Sequence, residues 1–163
     1  MKRTALCLAL ATMAAFAVAQ TPAQKAFERL TKMKGTWEVS DGKQTVKIVY
    51  KLTGGGSSVV ETQFPDTPME MMTIYHMDGP DKLILTHYCA AQNQPTLKMV
   101  KGGTDTDFRF AFVSGTNMKP TDMHIHNVHY QILADDHVIT EWEGYMNGKS
   151  GGTEKFDLHR FAS

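Results

Sequence analysis

From Gly35 onward the chain turns every few residues, and this rhythm constrains its fold more than any other feature. Alternating apolar and polar side chains mark half-buried strands, and clusters of Gly, Pro, Asn and Asp mark the turns between them. Trp37 to Ser40 reads as a first strand, closed by Asp41-Gly42. Gln44 to Leu52 follows, with Val46, Ile48, Tyr50 and Leu52 on one face and Lys47 and Lys51 on the other. Gly54-Gly55-Gly56 turns the chain into Ser58 to Phe64, and Pro65-Asp66-Thr67-Pro68 turns it again. Met69 to Met77 and Leu83 to Ala90 read as a hairpin around Asp78-Gly79-Pro80-Asp81. Thr96 to Lys101, Phe108 to Val113, His124 to Leu133, Val138 to Met146 and Thr153 to Phe161 complete about ten strands. Successive strands with short links predict an all-β, antiparallel up-and-down meander. Closing into a barrel is the simplest way for such a meander to remove its own edges. A two-sheet sandwich is the alternative. Barrels of this size can enclose one small ligand.

Ahead of the strands, Thr21 and Pro22 supply the cap and first turn of a helix. Phe27, Leu30 and Met33 fall on one face of it, and Gly35 ends it. Earlier still, Lys2 and Arg3 precede an apolar run from Ala5 to about Val18, and Ala17-Val18-Ala19 has the small-x-small pattern of a signal-peptidase site. Cleavage is expected after Ala19. That leaves residues 20–163 as a single periplasmic or secreted domain with no integral membrane segment. Removing Lys2 and Arg3 lowers the basic count from 17 to 15 against 17 acidic residues, a net charge of −2. With no basic patch, nucleic-acid binding is not expected. Cys7 lies in the signal, so Cys89 is the one mature cysteine and no internal disulfide can form. It is a buried inert thiol, a ligand or a reactive thiol, and the first is the commonest outcome.

A helix, then Gly35-Thr36-Trp37 opening the first strand, then the meander, then Arg160 near the C-terminus: this order resembles the calycin group of lipocalins, fatty-acid-binding proteins and similar barrels. The resemblance implies that Trp37 packs at the closed end of the barrel with Arg160 across its indole. Such a pair is favourable by about 0.5–2 kcal/mol. Three further stretches are similar to a family of exported bacterial lipocalin-like proteins of uncharacterised function: Tyr75-His76-Met77-Asp78-Gly79, Thr86-His87-Tyr88-Cys89 and Asn93-Gln94-Pro95. That similarity bears on fold and export and implies no substrate.

Candidate site residues come from the strand faces. Met69, Met71, Met72 and Met77 crowd one strand, and Phe108, Phe110 and Phe112 alternate on another. They read either as ordinary core or as the lining of an adaptable apolar cavity. With a four-residue turn between Met77 and Lys82, Met72, Ile74 and His76 share an inward face with Leu83, Leu85, His87 and Cys89. The face of Val128, Tyr130 and Ile132 also carries His124 and His126. An H-x-H pair on a strand sets two imidazoles on one side, about 7 Å apart. With His87 it would form a set suited to zinc or another transition metal. A single inward histidine could instead hold a haem iron. The competing readings are that His124 is exposed near a loop and that His87 hydrogen-bonds a core Tyr or Thr. His129, His137 and His159 are expected on the surface.

Catalytic motifs are sparse. The sequence has no G-x-S-x-G, no H-E-x-x-H and no phosphate-cradling glycine loop. Glu141 and Glu143 share a face that reads as solvated, with Trp142 between them pointing inward. The expectation is a barrel that binds a small apolar or amphiphilic molecule and performs no reaction. His76, His87, Cys89, His126, Tyr130, Met72 and Phe110 would contact that molecule, and His87, His126 and Tyr130 would fix its polar end. The alternatives are a haem or metal barrel using the same histidines and, behind that, a small enzyme in the same cavity.

Overall fold

The computed structural model describes residues 19–40 and 45–161. The expected export signal through residue 18, the expected Asp41-Gly42 turn and Gln44 lie outside the described residues. Helix α1 (Pro22–Lys32) is followed by ten strands: β1 (Gly35–Ser40), β2 (Thr45–Thr53), β3 (Ser58–Gln63), β4 (Met71–Met77), β5 (Leu83–Tyr88), β6 (Gln94–Met99), β7 (Asp107–Thr116), β8 (His124–Ala134), β9 (His137–Met146) and β10 (Lys149–Arg160). Each strand pairs antiparallel with its sequence neighbour. Two residue pairs between β1 and β10, Trp37↔Arg160 and Glu38↔His159, close the ring. The sheet is thus a closed barrel, and the sandwich alternative falls away. No helix among the described residues is long and apolar enough to cross a membrane.

Inward positions alternate along each strand, as the pleat requires. Ile48, Tyr50, Val59, Tyr75, Leu83, Leu85, Leu97, Phe108, Phe110, Val128, Tyr130, Val138 and Leu158 make a continuous buried core. One end of the barrel is shut by α1. The Thr21 hydroxyl accepts from the Gln24 N–H, and the Gln24 side chain accepts from the Thr21 N–H, so the helix begins with a reciprocal cap. Ala23, Ala26 and Leu30 are buried against the barrel floor. Thr21 donates to the Pro80 carbonyl in the β4–β5 turn, and Arg29 pairs with Asp105 in the β6–β7 turn at 3.0 Å.

Trp37 is 1% exposed, and its indole N–H donates to the Met33 carbonyl at 2.7 Å. The Arg160 guanidinium lies 4.4 Å from the centre of that indole and donates to the carbonyls of Lys32, Lys34 and Asp135. Gly35 has φ +127°, and a Cβ there would stand 3.3 Å from Arg160 Nη1, so this position needs glycine for both conformation and space.

Two strand faces differ from the sequence-based expectation. In β4 the inward residues are Thr73 and Tyr75, so Met72 and His76 lie on the outer face. The β4–β5 loop has five residues, since Met77 pairs with Leu83, and it is closed by the Asp78 N–H to Lys82 carbonyl bond of 2.8 Å. One extra loop residue shifts the register by one and reverses every side chain of the strand. In β8 the register against β9 slips between Ile125↔Gly144 and Asn127↔Glu143, leaving His126 as the extra residue of a bulge.

Candidate functional site: the barrel mouth and the polar layer beneath it

Opposite α1 the barrel opens into a cavity of about 770 Å³. Its rim is apolar, with Phe64, Met69, Met71, Ile125, Met146 and Phe156, and its floor includes Gln63, His87 and Trp142. β5 carries His87 inward, directly opposite Thr73 of β4. The Thr73 hydroxyl and His87 Nδ1 share a hydrogen bond of 2.8 Å, and both residues are buried. The imidazole packs 5.1 Å from the Trp142 ring. His87 Nε2, at the other edge of the ring, has no hydrogen-bond partner. Burial pushes the His87 pKa down to about 4, so at neutral pH the ring is uncharged. Its unpaired Nε2 is therefore either an N–H or a bare lone pair, according to the tautomer that Thr73 selects.

Cys89 lines the same cavity near the rim as a free thiol. Burial pushes its pKa up, which keeps it protonated and weakly nucleophilic at neutral pH.

Below the cavity lies a buried polar layer. Glu61 of β3 is fully buried and faces Tyr50, Tyr75 and Tyr130 from three other strands. Tyr75 and Tyr130 both donate to Glu61 Oε2, the latter at 3.0 Å, and Gln63 donates to Oε1 at 2.9 Å. Tyr130 also meets the hydroxyls of Tyr75 at 2.6 Å and Tyr50 at 3.3 Å. The Glu61 pKa is raised by burial, against the opposing hydrogen bonds from Tyr75, Gln63 and the other tyrosines. The carboxyl group sits inside an aromatic box, in which Phe108 stacks on Tyr130 at 5.2 Å and Phe110 packs edge-on.

Of the residues expected to contact a ligand, His87 and Cys89 line the cavity. Tyr130 and Phe110 lie deeper, fully enclosed in the core. Met72 and His76 are on the outer face. The β8 bulge sends Ile125 into the cavity in place of the two histidines. His124 Nε2 and His126 Nδ1 approach to 3.1 Å, and His126 stacks between Phe112 and Tyr145. His87, His124 and His126 therefore do not converge as a metal set. The one such set among the described residues is His137, Asp157 and His159.

His129 faces outward but is 6% exposed, held between Asp107 at 2.9 Å and Glu141 at 3.2 Å. Glu61, Gln63 and Trp142 complete the site. Trp142 was legible as an inward residue. Glu61 was not, although two tyrosines on apolar faces, Tyr50 and Tyr130, each needing a hydrogen-bond partner when buried, pointed to an acceptor near them.

Fold and site together define a closed ten-stranded antiparallel barrel, shut at one end by a helix and open at the other through an apolar mouth over a neutral histidine. Comparison with models of known protein families, and with curated proteins, finds no match to this chain.

Proposed function

We propose that this barrel binds a small apolar or amphiphilic molecule in its mouth, working outside the cytoplasm after cleavage behind Ala19. The observation that carries the reading is His87 Nε2, a buried polar atom with no partner at the floor of an apolar cavity of about 770 Å³. Leaving such an atom unpaired costs about 1–3 kcal/mol. A ligand hydroxyl, carbonyl or carboxyl group would relieve that cost while its hydrocarbon part covers Phe64, Met71, Ile125 and Phe156. Because His87 is neutral, it selects by hydrogen bonding and not by charge. The calycin-like order of helix, Trp37 and Arg160 supports the same reading.

The test is a thermal-shift titration of wild type and His87→Ala with medium-chain fatty acids and the matching alcohols. The wild-type midpoint should rise, since a ligand bound only to the folded state stabilises it by mass action. His87→Ala should weaken binding by the value of one hydrogen bond, about 0.5–1.5 kcal/mol. A midpoint unmoved by every compound would refute the reading.

A second reading rests on the same atom. An imidazole oriented through Nδ1 with Nε2 free is the arrangement an axial ligand to a haem iron requires. A large shift with haemin that disappears in His87→Ala would promote this reading over the first.

A further inference from the structure

We propose that His137, Asp157 and His159 form a transition-metal site on the outer wall of the barrel, separate from the mouth and independent of what the mouth binds. Val138 and Leu158 point into the core, so their neighbours His137 and His159 point out. The β9–β10 register sets these two histidines directly opposite one another, and Asp157, two residues back along β10, shares their face. Their rings stack with centroids 4.3 Å apart and 21° between planes. Both Nε2 atoms aim at one oxygen, Asp157 Oδ1, at 2.7 Å from His137 and 3.3 Å from His159. One donor atom from each residue lies within 4.8 Å of the other two.

Bonds of about 2.0–2.2 Å in a tetrahedral zinc site put neighbouring donor atoms about 3.3–3.6 Å apart. The two histidine–aspartate separations thus need to open by no more than about one ångström to admit an ion. The strands that carry them are hydrogen-bonded to each other along this stretch, so little order must be bought on binding.

Two imidazoles and one carboxylate select zinc, copper or nickel over magnesium or calcium, which prefer all-oxygen shells. A fourth position is open to water, because His159 and Asp157 are more than half exposed. Glu38, directly opposite His159 on β1, is the nearest further carboxylate in the register. The His124–His126 pair, with two nitrogens and no carboxylate in contact, is the weaker competitor for an ion.

Isothermal titration of the tag-free protein with zinc chloride tests the proposal, with magnesium chloride as the comparison ion. One equivalent of zinc and no magnesium should bind. His159→Ala should weaken zinc by at least about tenfold, the scale seen when even an outer partner of a ligand is lost. Asp157→Asn should weaken it less, and His126→Ala should leave it unchanged. All three positions are on the outer wall, and thermal midpoints in EDTA check that each variant is folded. Absence of binding at millimolar zinc would overturn the proposal. So would binding that survives His159→Ala, or that is lost in His126→Ala.

Discussion

His87 and Glu61 are buried at one level of the barrel wall, on either side of Thr73, and burial moves them in opposite senses. His87 is depressed to about 4 from an ordinary 6.5, so between those values the unfolded chain takes up a proton that the folded one refuses. Its contribution is full above about pH 6.5 and is lost as pH falls toward 4, by on the order of 3 kcal/mol. Glu61 is raised above 4.5, so the fold keeps a proton that the unfolded chain releases. Its contribution is full below about pH 4.5 and is lost as pH rises through the folded value. Urea unfolding between pH 4 and pH 8 separates the two. His87→Gln should flatten the loss on the acid side, and Glu61→Gln should flatten the decline on raising pH. Profiles for both variants parallel to wild type would mean that neither group is desolvated. At this scale the sequence was only partly readable. His87 stood out as a polar residue on an apolar face. Glu61 did not, because in Ser58–Gln63 both faces carry valine and polar residues alike, and alternation gives no preference.

Among the elements, α1 depends most on a single side chain. The Thr21 hydroxyl accepts from Gln24 N–H at 3.2 Å and donates to the Pro80 carbonyl, so it both starts the helix and ties it to the β4–β5 turn. Thr21→Ala should cost about 1–2 kcal/mol, and Thr21→Ser should recover most of that. Equal thermal midpoints for Thr21→Ala and wild type would show that the cap is not used. Strand number, strand order and the helix were legible because turn residues and period-two alternation are local signals. What escaped was parity. The five-residue loop after Met77 and the bulge at His126 each displace the pattern by one residue. Neither leaves a mark in composition, and each moved histidines away from the interior. Trp142 escaped this problem, since its neighbours Glu141 and Glu143 leave one apolar choice.

For the molecule as a whole, closure distinguishes this fold from an open meander. Nine of the ten pairings join strands adjacent in the chain, whereas the tenth joins Trp37 to Arg160 and Glu38 to His159. Contacts between residues so far apart in sequence form only after the intervening chain is organised. Amide exchange should therefore be faster along β1 than along β9, where long ladders to β8 and β10 run along both sides. Slower exchange in β1 than in β9 would contradict this. The barrel thus has a seam, two residue pairs long among the described residues, stitched by the Arg160–Trp37 stack and covered at one end by α1. This joint should be the last to be sealed as the chain folds and the first to part when the barrel breathes. An ion held by His137, Asp157 and His159 would act as a rivet on the strand that forms one side of it.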